Sequence, residues 1–403
     1  MRILIADKMA PQVVPSLEAN GCTVTIDPGL SGDALEQSIA ESDPQILVVR
    51  STKVQANHLS AARSLSLVIR AGAGVNTIDV LRASEKGIYV ANCPGKNAAA
   101  VAELALGHIL NADRRIADNV VALREGLWSK KQFAKGCRGL KGRTLGLVGM
   151  GNIGEEVAKR AQAFEMKVVA WDIQLTPHRA AQLGVHQAAG PVEVAEQADV
   201  LSVHIALNDQ TRGLVSDSVL SALKPGAIFI NTSRGPVVDE QALQKAVQER
   251  NIKCGLDVFC DEPAADGDWS NSLAMLPSVY GTHHIGASTE EASESVGDEV
   301  IRIVRSWTDE GLVPNCVNLA QASLASHLLV VRHKDKVGVL AGVLDCLKQG
   351  NINVQEMQNI VFQGGAAACA HIQVSHAPTS PLIEQLQQQQ FVLAVDVVAL
   401  ERT

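Results

Sequence analysis

The chain has 403 residues, a formal net charge of −8 and a sequence pI of about 5.8. At about 150 residues per domain this length predicts two or three domains, and the acidic balance argues against a nucleic-acid-binding protein, which usually presents a basic domain or stripe. Hydrophobic residues make up 46% of the chain and charged residues 19%, which excludes a largely disordered protein.

Short aliphatic runs alternate with amphipathic segments from the start of the chain. Met1 opens a run that turns polar after four apolar residues, so it predicts a first strand and lacks the core of a signal peptide. No apolar run approaches the ~20 residues of a membrane span, so no membrane partner is expected. The alternation predicts a parallel sheet covered on both faces. Its predicted strands are Arg2–Asp7, Cys22–Ile26, Ile46–Arg50, Leu67–Arg70 and Ile88–Asn92.

A second series of strand–helix units follows a long helical stretch. The stretch begins at Asn97, ends near Trp128 and contains two glycines, Gly107 and Gly126. The strands after it predict a second parallel sheet of the same architecture. These strands are Thr144–Val148, Lys167–Trp171, Val200–His204, Ala227–Asn231 and Lys253–Val258.

The texture of the sequence changes after Leu312. Residues 316–326 lack periodicity and predict a linker. Residues 327–403 predict a separate module with the order βαββαβ, which is typical of a ferredoxin-like fold. Its predicted elements are Leu328–Arg332, Val339–Gln349, Asn353–Val361, Ala366–Val374, Pro381–Gln389 and Val392–Leu400.

The eight cysteines are scattered through apolar segments, with no Cys-x-x-Cys pair and no zinc-ligand spacing to histidines. Such a distribution is typical of reduced thiols in protein cores. It predicts a cytoplasmic protein without a metal site.

The strongest local motif is Gly149-Met-Gly151-Asn-Ile-Gly154, which follows an apolar strand and opens an amphipathic helix. In a dinucleotide site the first glycine permits the tight turn, the second lets the pyrophosphate approach, and the third allows the helix to pack on the strand. Asp172 ends the next apolar run, where a carboxylate binds the ribose hydroxyls and repels a 2′-phosphate. This context predicts an NAD site, although an ordinary strand–turn–helix would share parts of it.

Three further polar residues follow predicted strands of the second sheet. Arg234, Glu262 and His284 each come just after an apolar run, where ligands bind in open α/β sheets. An arginine can grip a carboxylate with two hydrogen bonds, and a histidine next to a carboxylate can exchange a proton near neutral pH. Taken singly, each could also be a surface charge, a turn residue or a core histidine.

Together these motifs give the chain a resemblance to the NAD-dependent D-isomer-specific 2-hydroxyacid dehydrogenases, and most closely to the phosphoglycerate-oxidising branch of that family. The resemblance covers nearly the whole length. It implies a discontinuous substrate-binding domain of residues 1–95 and 285–315, and an NAD-binding Rossmann domain of residues 96–284. Its motifs are Arg50-Ser-Thr-Lys-Val54, Arg70-Ala-Gly-Ala-Gly-Val-Asn-Thr-Ile-Asp79, the stretch 97–103, the glycine motif, Ser233-Arg-Gly235, Leu256-Asp-Val-Phe259 with Glu262-Pro263, and His284-Ile-Gly-Ala-Ser-Thr289.

The resemblance implies a role for each candidate residue. Arg234 would bind the substrate carboxylate, His284 would be the general acid/base, and Glu262 would be the partner of that histidine. Further substrate contacts are expected from Arg50, Ser51, Gly74 and Asn97. Besides the glycine motif and Asp172, the expected cofactor contacts are Asn152, Ile153, Thr232, Ser233, Arg234, Asp257, His284, Gly286 and Ala287, with Asp257 at the nicotinamide carboxamide.

The implied reaction is NAD-dependent oxidation of D-3-phosphoglycerate to 3-phosphohydroxypyruvate, the first step towards L-serine. The substrate phosphate needs cations, which Arg50, Lys53 and Lys130–Lys131 can supply. Two alternatives remain: a reductase of another 2-oxo acid such as hydroxypyruvate, glyoxylate or 2-oxoglutarate, and an NAD-sensing corepressor.

Some positions depart from the family pattern. His283 stands where relatives usually have proline before the catalytic histidine, so two adjacent histidines compete for that role. Ala73 and Ile205 occupy positions where some relatives carry a threonine near the cofactor.

The C-terminal module resembles an ACT domain, a small unit that binds amino acids at subunit interfaces. The resemblance implies an effector, L-serine or another amino acid, and a homodimer or homotetramer. Asp335 and Val337 replace the usual asparagine and proline of serine-inhibited relatives, so a purely structural module is the alternative. The expected effector contacts are His333, Asp335, Gly338 and Asn353.

Overall fold

The computed structural model describes residues 1–263, 267–320 and 323–400. It divides into two compact units, one ending at Asn318 and one beginning at Leu319. Among the described residues, no helix is long and apolar enough to cross a membrane. Nor do the described His, Cys, Asp and Glu side chains form any group of three or more that could hold a metal ion.

The first unit opens with a five-stranded parallel sheet in the order β2-β1-β3-β4-β5. Its strands are rich in Ile, Leu and Val, and the central ones are fully buried because helices cover both faces. The strands are β1 (Arg2–Ile5), β2 (Thr23–Ile26), β3 (Ile46–Val49), β4 (Leu67–Arg70) and β5 (Tyr89–Asn92). The helices between them are α1 (Val13–Ala19), α2 (Gly32–Ser42), α3 (Ala56–Ala61) and α4 (Val80–Glu85).

The chain then crosses to a seven-stranded parallel sheet in the order β12-β11-β10-β9-β6-β7-β8. Its strands are β6 (Thr144–Val148), β7 (Lys167–Trp171), β8 (His186–Gln187), β9 (Val200–Val203), β10 (Ile228–Asn231), β11 (Lys253–Leu256) and β12 (Val279–Gly281). The helices along the way are α5 (Ala98–Arg114), α6 (Ile116–Arg124), α7 (Lys130–Ala134), α8 (Asn152–Ala163), α9 (Pro177–Leu183), α10 (Pro191–Gln197), α11 (Asp217–Ala222) and α12 (Glu240–Arg250), with a 3-10 turn at Gly235–Val237.

The long helical stretch predicted from Asn97 to about Trp128 is two helices. Arg115 lies between α5 and α6 in the left-handed conformation, with φ of 51°. Its guanidinium donates a hydrogen bond to the carbonyl of Gln132 and lies 4.9 Å from the centre of the Phe133 ring. These contacts with the α7 segment accompany the break, which helical periodicity alone did not reveal.

Helix α13 (Glu290–Glu310) returns the chain to the first sheet, where its apolar face packs with α1. The Thr289 hydroxyl caps its start by accepting from the Ala292 amide, and left-handed Gly311 ends it. Gly297 lies so close to α1 that an added Cβ would come 2.8 Å from a methyl of Val13. Beyond α13, the amide of Val317 donates to the carbonyl of Val90 on β5.

The second unit is a four-stranded antiparallel sheet in the order β14-β15-β13-β16 with two helices on one face. Its elements, in chain order, are β13 (His327–Lys334), α14 (Val339–Gln349), β14 (Val354–Val361), β15 (Ala367–Val374), α15 (Ser380–Gln387) and β16 (Val392–Ala399). The predicted fold class, two doubly wound parallel sheets followed by a ferredoxin-like module, is confirmed.

Candidate active site

The chemistry-bearing side chains of the first unit lie at the carboxyl ends of parallel strands. Arg50 follows β3, Arg70 ends β4, and Arg234 follows the end of β10. The two sheets meet here, because a Cβ on Gly74 would lie 2.9 Å from Nη2 of Arg234. Arg50 Nη2 also donates to the carbonyl of Ala287 at 3.3 Å. Predicted substrate and cofactor residues therefore share one region between the sheets.

His284 and Glu262 form a hydrogen-bonded pair at this region. Nδ1 of His284 lies 2.7 Å from Oε2 of Glu262, and their side chains are 45% and 33% exposed. Oε1 of Glu262 accepts from the amide of Phe259 at 2.9 Å. Burial alone would raise the pKa of Glu262, but hydrogen bonds from His284 and Phe259 and the charge of Arg234 lower it. An ionised Glu262 fixes the proton on Nδ1 and leaves Nε2 of His284 to face a ligand. Exposed His283 does not share this contact, which supports the choice of His284.

A short turn after β10 presents Arg234. Oδ1 of Asn231 accepts from both the amide and the hydroxyl of Ser233, while its Nδ2 donates to the carbonyl of Arg234. Gly235 follows because a Cβ there would collide with the carbonyl of Phe259 at 2.2 Å. Arg234 is mostly buried, which lowers its pKa, and Glu262 opposes that shift.

Asp257 holds the loop that carries His284. Its backbone carbonyl accepts from the amide of His284 at 2.9 Å, and its carboxylate accepts from the amides of Ile285 and Gly286 at 2.9 and 2.8 Å. These bonds keep His284 in the left-handed region, with φ of 53°. This conformation costs about 1–3 kcal/mol and persists only where the surrounding structure enforces it. The carboxylate expected at the nicotinamide therefore also shapes the loop that carries His284.

Arg70 is a site residue to which the sequence motif assigned no role. Burial, together with the charges of Arg234 and Arg50, lowers its pKa to about 10. Its Nε is buried with no hydrogen-bond partner in the described structure. Its place at the end of a predicted strand was the one sequence signal for it, and surface charges share that signal. Three guanidinium groups thus gather near one another.

Asp7 is a second residue that sequence reasoning missed. It follows β1, and its Oδ2 accepts from the amides of Arg50, Ser51 and Thr52 at 2.6, 3.2 and 3.1 Å. Its Oδ1 accepts from the hydroxyl of Ser51 at 2.8 Å. Asp7 thereby fixes the loop that presents Arg50, and the Ser51 hydroxyl is donated to Asp7 rather than to a ligand.

The glycine motif forms the turn that a dinucleotide requires. A Cβ on Gly149 would lie 2.4 Å from the carbonyl oxygen of His204, and one on Gly154 would lie 2.2 Å from the carbonyl oxygen of Gly149. A Cβ on Gly151 meets nothing within 4 Å, so the second glycine faces open space. Helix α8 begins there without a side-chain cap, which leaves its first amides available to an anion. Asp172 accepts from the amide of Met150 at 2.9 Å.

One other predicted cofactor residue and one predicted substrate residue carry buried polar atoms without hydrogen-bond partners in the described structure. The hydroxyl of buried Thr232 has no hydrogen-bond partner in the described structure. Oδ1 of Asn97, at the start of α5, is also buried and without a partner there. Asn152 packs near Gly95, and Ile205 contacts Gly149. Free amides, open space at Gly151 and unpartnered buried polar atoms all fit a bound dinucleotide.

The predicted effector residues lie in the second unit. Gly338 opens α14 with φ of 90° and no side-chain cap, and Asn353 is exposed just before β14. His333, however, is 1% exposed, and its ring nitrogens contact the carbonyl of Lys334 and Oδ1 of Asn359 at 2.9 and 3.1 Å. His333 would have to give up one of these contacts to reach an effector.

The fold and the site define a dinucleotide-binding protein of dehydrogenase type. Residues 106–286 match the model for the NAD binding domain of D-isomer specific 2-hydroxyacid dehydrogenases. The chain is 38% identical over 358 residues to the D-3-phosphoglycerate dehydrogenase of Mycobacterium bovis, covering 88% of this chain and 66% of that protein. It is 42% identical over 303 residues to the hydroxypyruvate reductase of Thermotoga maritima, covering 73% of this chain and 93% of that protein.

A solved structure shows the same likeness. The NAD+-bound 3-phosphoglycerate dehydrogenase of Entamoeba histolytica is 25% identical, with a TM-score of 0.66 over 79% of this chain and 99% of that one. The chain therefore belongs to the D-isomer specific 2-hydroxyacid dehydrogenase family, as its motifs predicted, and NAD is its cofactor. It spans 66% of the length of the mycobacterial relative.

Proposed function

We propose that this chain oxidises D-3-phosphoglycerate to 3-phosphohydroxypyruvate with NAD+, the first step towards L-serine. The observation that carries the proposal is the cluster of Arg50, Arg70 and Arg234 beside the His284–Glu262 pair. Clustered, partly buried cations with few counterions destabilise a fold unless an anion joins them. The cluster therefore supports an anionic substrate with more than one charged group.

Charge matching favours a phosphorylated acid over a simple one. Phosphoglycerate carries one carboxylate and a phosphate of about −2 at neutral pH, or about −3 in total. Three guanidinium groups balance that charge, and each can bind an oxyanion with two hydrogen bonds. Of the carboxylates near the cluster, Asp7 already accepts from the loop at residues 50–52, so its capacity to neutralise the arginines is partly used.

We assign the roles of the site residues from the family resemblance, and their contacts support this assignment. Arg234 holds the substrate carboxylate and polarises the oxygen that becomes a carbonyl. Nε2 of His284 takes the hydroxyl proton, and Glu262 stabilises the resulting imidazolium through Nδ1. Bound NAD+ supplies the hydride acceptor. In the reverse direction His284 begins protonated and returns the proton.

A panel of substrates tests this proposal. NADH formation is measured with D-3-phosphoglycerate, D-glycerate and 2-hydroxyglutarate, and NADH consumption with hydroxypyruvate, glyoxylate and 2-oxoglutarate. We expect the highest kcat/KM with the phosphorylated acid. A higher value with an unphosphorylated acid would transfer the assignment to the reductase class, to which the Thermotoga relative belongs by name. No turnover with any of them would favour an NAD-sensing corepressor.

We further propose the residue roles and domain limits that the sequence implies. The return of α13 to the first sheet supports residues 285–315 as part of the substrate-binding domain, with residues 96–284 as the NAD-binding domain. We also propose that the ferredoxin-like second unit is an ACT-type module that binds L-serine or another amino acid in a homodimer or homotetramer. Calorimetry with serine and other amino acids tests the effector, and an absence of heat would favour a purely structural module.

Five of the eight free cysteines are buried, which supports a cytoplasmic protein.

A further inference from the structure

A buried histidine outside the assigned site contacts the loop that carries the catalytic histidine. His108 lies on α5 and is 5% exposed. It packs so tightly on β11 that a Cβ on Gly255 would come 2.5 Å from Cβ of His108. Its Nε2 lies 3.1 Å from the hydroxyl oxygen of Thr282, two residues before His284.

The donor and the acceptor can be assigned for both hydrogen bonds that link His108, Thr282 and Asp257. The hydroxyl of Thr282 donates to Oδ1 of Asp257 at 2.6 Å, and an ionised carboxylate only accepts. The single hydroxyl proton is thereby used, so the oxygen of Thr282 must accept from Nε2–H of His108. Burial lowers the pKa of His108, although Asp257 acts in the opposite direction. His108 is therefore a neutral donor with its proton on Nε2.

We propose that His108 and Thr282 are positioning residues for His284. The series His108, Thr282, Asp257 ends on the amides of Ile285 and Gly286, which flank the strained His284 backbone. Hydrogen bonds linked in this way polarise one another and fix the orientation of the last group. Neither residue is placed at the reacting atoms, because Nε2 of His108 contacts the hydroxyl of Thr282 and that hydroxyl donates to Asp257.

The consequence for turnover rests on the proposed function, but the structural consequence does not. Amide hydrogen exchange of the segment 282–289 reports directly on how often the catalytic loop opens. Thr282→Val removes the hydroxyl with little change in shape, and His108→Phe removes the donor while keeping a ring in the space. His108→Gln restores an N–H donor. Ile109→Val, the next residue on α5, is a control that perturbs the core without touching Thr282.

We expect Thr282→Val and His108→Phe each to raise exchange of this segment about fivefold, the effect of losing one typical hydrogen bond. Because the two residues act in series, the double variant should raise the amide exchange of this segment no more than Thr282→Val does alone. His108→Gln should approach the wild-type exchange, and Ile109→Val should match it. Turnover should follow the same order, with kcat lowered about fivefold and KM for NAD+ retained.

Unchanged exchange in Thr282→Val and His108→Phe would overturn the proposal, as would an equal rise in Ile109→Val. A rise in exchange with unchanged kcat in an active enzyme would also refute the positioning role. If the wild type turned over no 2-hydroxy acid, only the proposed function would fail, and the exchange measurements would still decide whether these residues hold the loop.

Discussion

Replacing Glu262 by glutamine should lower kcat strongly, because it removes a charge and also changes which nitrogen of His284 carries the proton. Oε1 of Glu262 accepts from the amide of Phe259, so the glutamine carbonyl will occupy that position. Its NH2 group then faces Nδ1 of His284, where Oε2 now lies 2.7 Å away. A neutral imidazole will accept this bond at Nδ1 and carry its proton on Nε2, which is the wrong tautomer for taking the substrate proton.

The size of the effect follows from these contacts. Reaching the productive tautomer would give up a neutral hydrogen bond of about 1 kcal/mol and set two N–H donors against each other, at about 1–3 kcal/mol. The sum, about 2–4 kcal/mol, corresponds to a loss in kcat of roughly 30- to 1000-fold. The steady-state rate of NADH formation at saturating substrate and NAD+ measures this loss of kcat, and KM for NAD+ should change little.

A neighbouring carboxylate provides the matched control. Glu240 accepts from the amide of Cys260 and the side chain of Asn271, near Glu262 but without contact to His284. Glu240→Gln should keep kcat within about threefold of the wild type, because losing one such bond has only a modest effect. A Glu262→Gln variant with near-normal kcat would refute the tautomer argument and the role of Glu262.

Three further predictions concern the same site. His284→Ala should lower kcat by about 10²-fold or more while NAD+ binding is retained, whereas His283→Ala should leave kcat nearly unchanged. Measurements of kcat and of NAD+ affinity in both variants test this, and a larger loss of kcat in His283→Ala would exchange the roles of the two histidines. Arg234→Lys should lower kcat/KM about 10- to 100-fold, because an ammonium cannot reproduce the bidentate grip; an unchanged value would contradict carboxylate binding. Asp7→Asn should destabilise the fold by about 1 kcal/mol after solvent screening. Burial would raise the pKa of Asp7, but hydrogen bonds from Arg50, Ser51 and Thr52 lower it below the ordinary value of 3.8. The stability difference between wild type and variant should therefore be complete above pH 3.8 and vanish as the pH falls through the lowered pKa of folded Asp7. A difference in unfolding free energy that persists in acid denaturation curves would contradict this prediction.

Much of the fold followed from local pattern. Buried parallel strands such as Ile46–Val49 are continuous aliphatic runs, and the glycine motif announced its own turn, so both were predictable. The break at Arg115 was not, because it accompanies contacts with Gln132 and Phe133 that lie on a later helix. Helical periodicity carries no information about such tertiary contacts.

The site shows the same division. Arg234, Glu262 and His284 could be named because each follows a recognisable strand. Asp7 and Arg70 also follow strands, but nothing in their local sequence distinguishes them from surface charges. Their importance appears only in the folded chain, where Asp7 holds the loop of Arg50 and Arg70 lies near Arg234. The contact between His108 and Thr282 joins residues 174 positions apart, which no motif spacing could predict.

The most direct test of the account compares phosphorylated and unphosphorylated substrates in one variant. We would measure kcat/KM for D-3-phosphoglycerate and for D-glycerate in the wild type and in Arg70→Met, which removes one cation of the arginine cluster. The wild type should prefer phosphoglycerate, and the variant should lose about 10- to 100-fold of that preference while its activity on D-glycerate changes little. A wild type without preference, or a preference that survives in Arg70→Met, would contradict the claim that this cluster selects a phosphorylated 2-hydroxy acid.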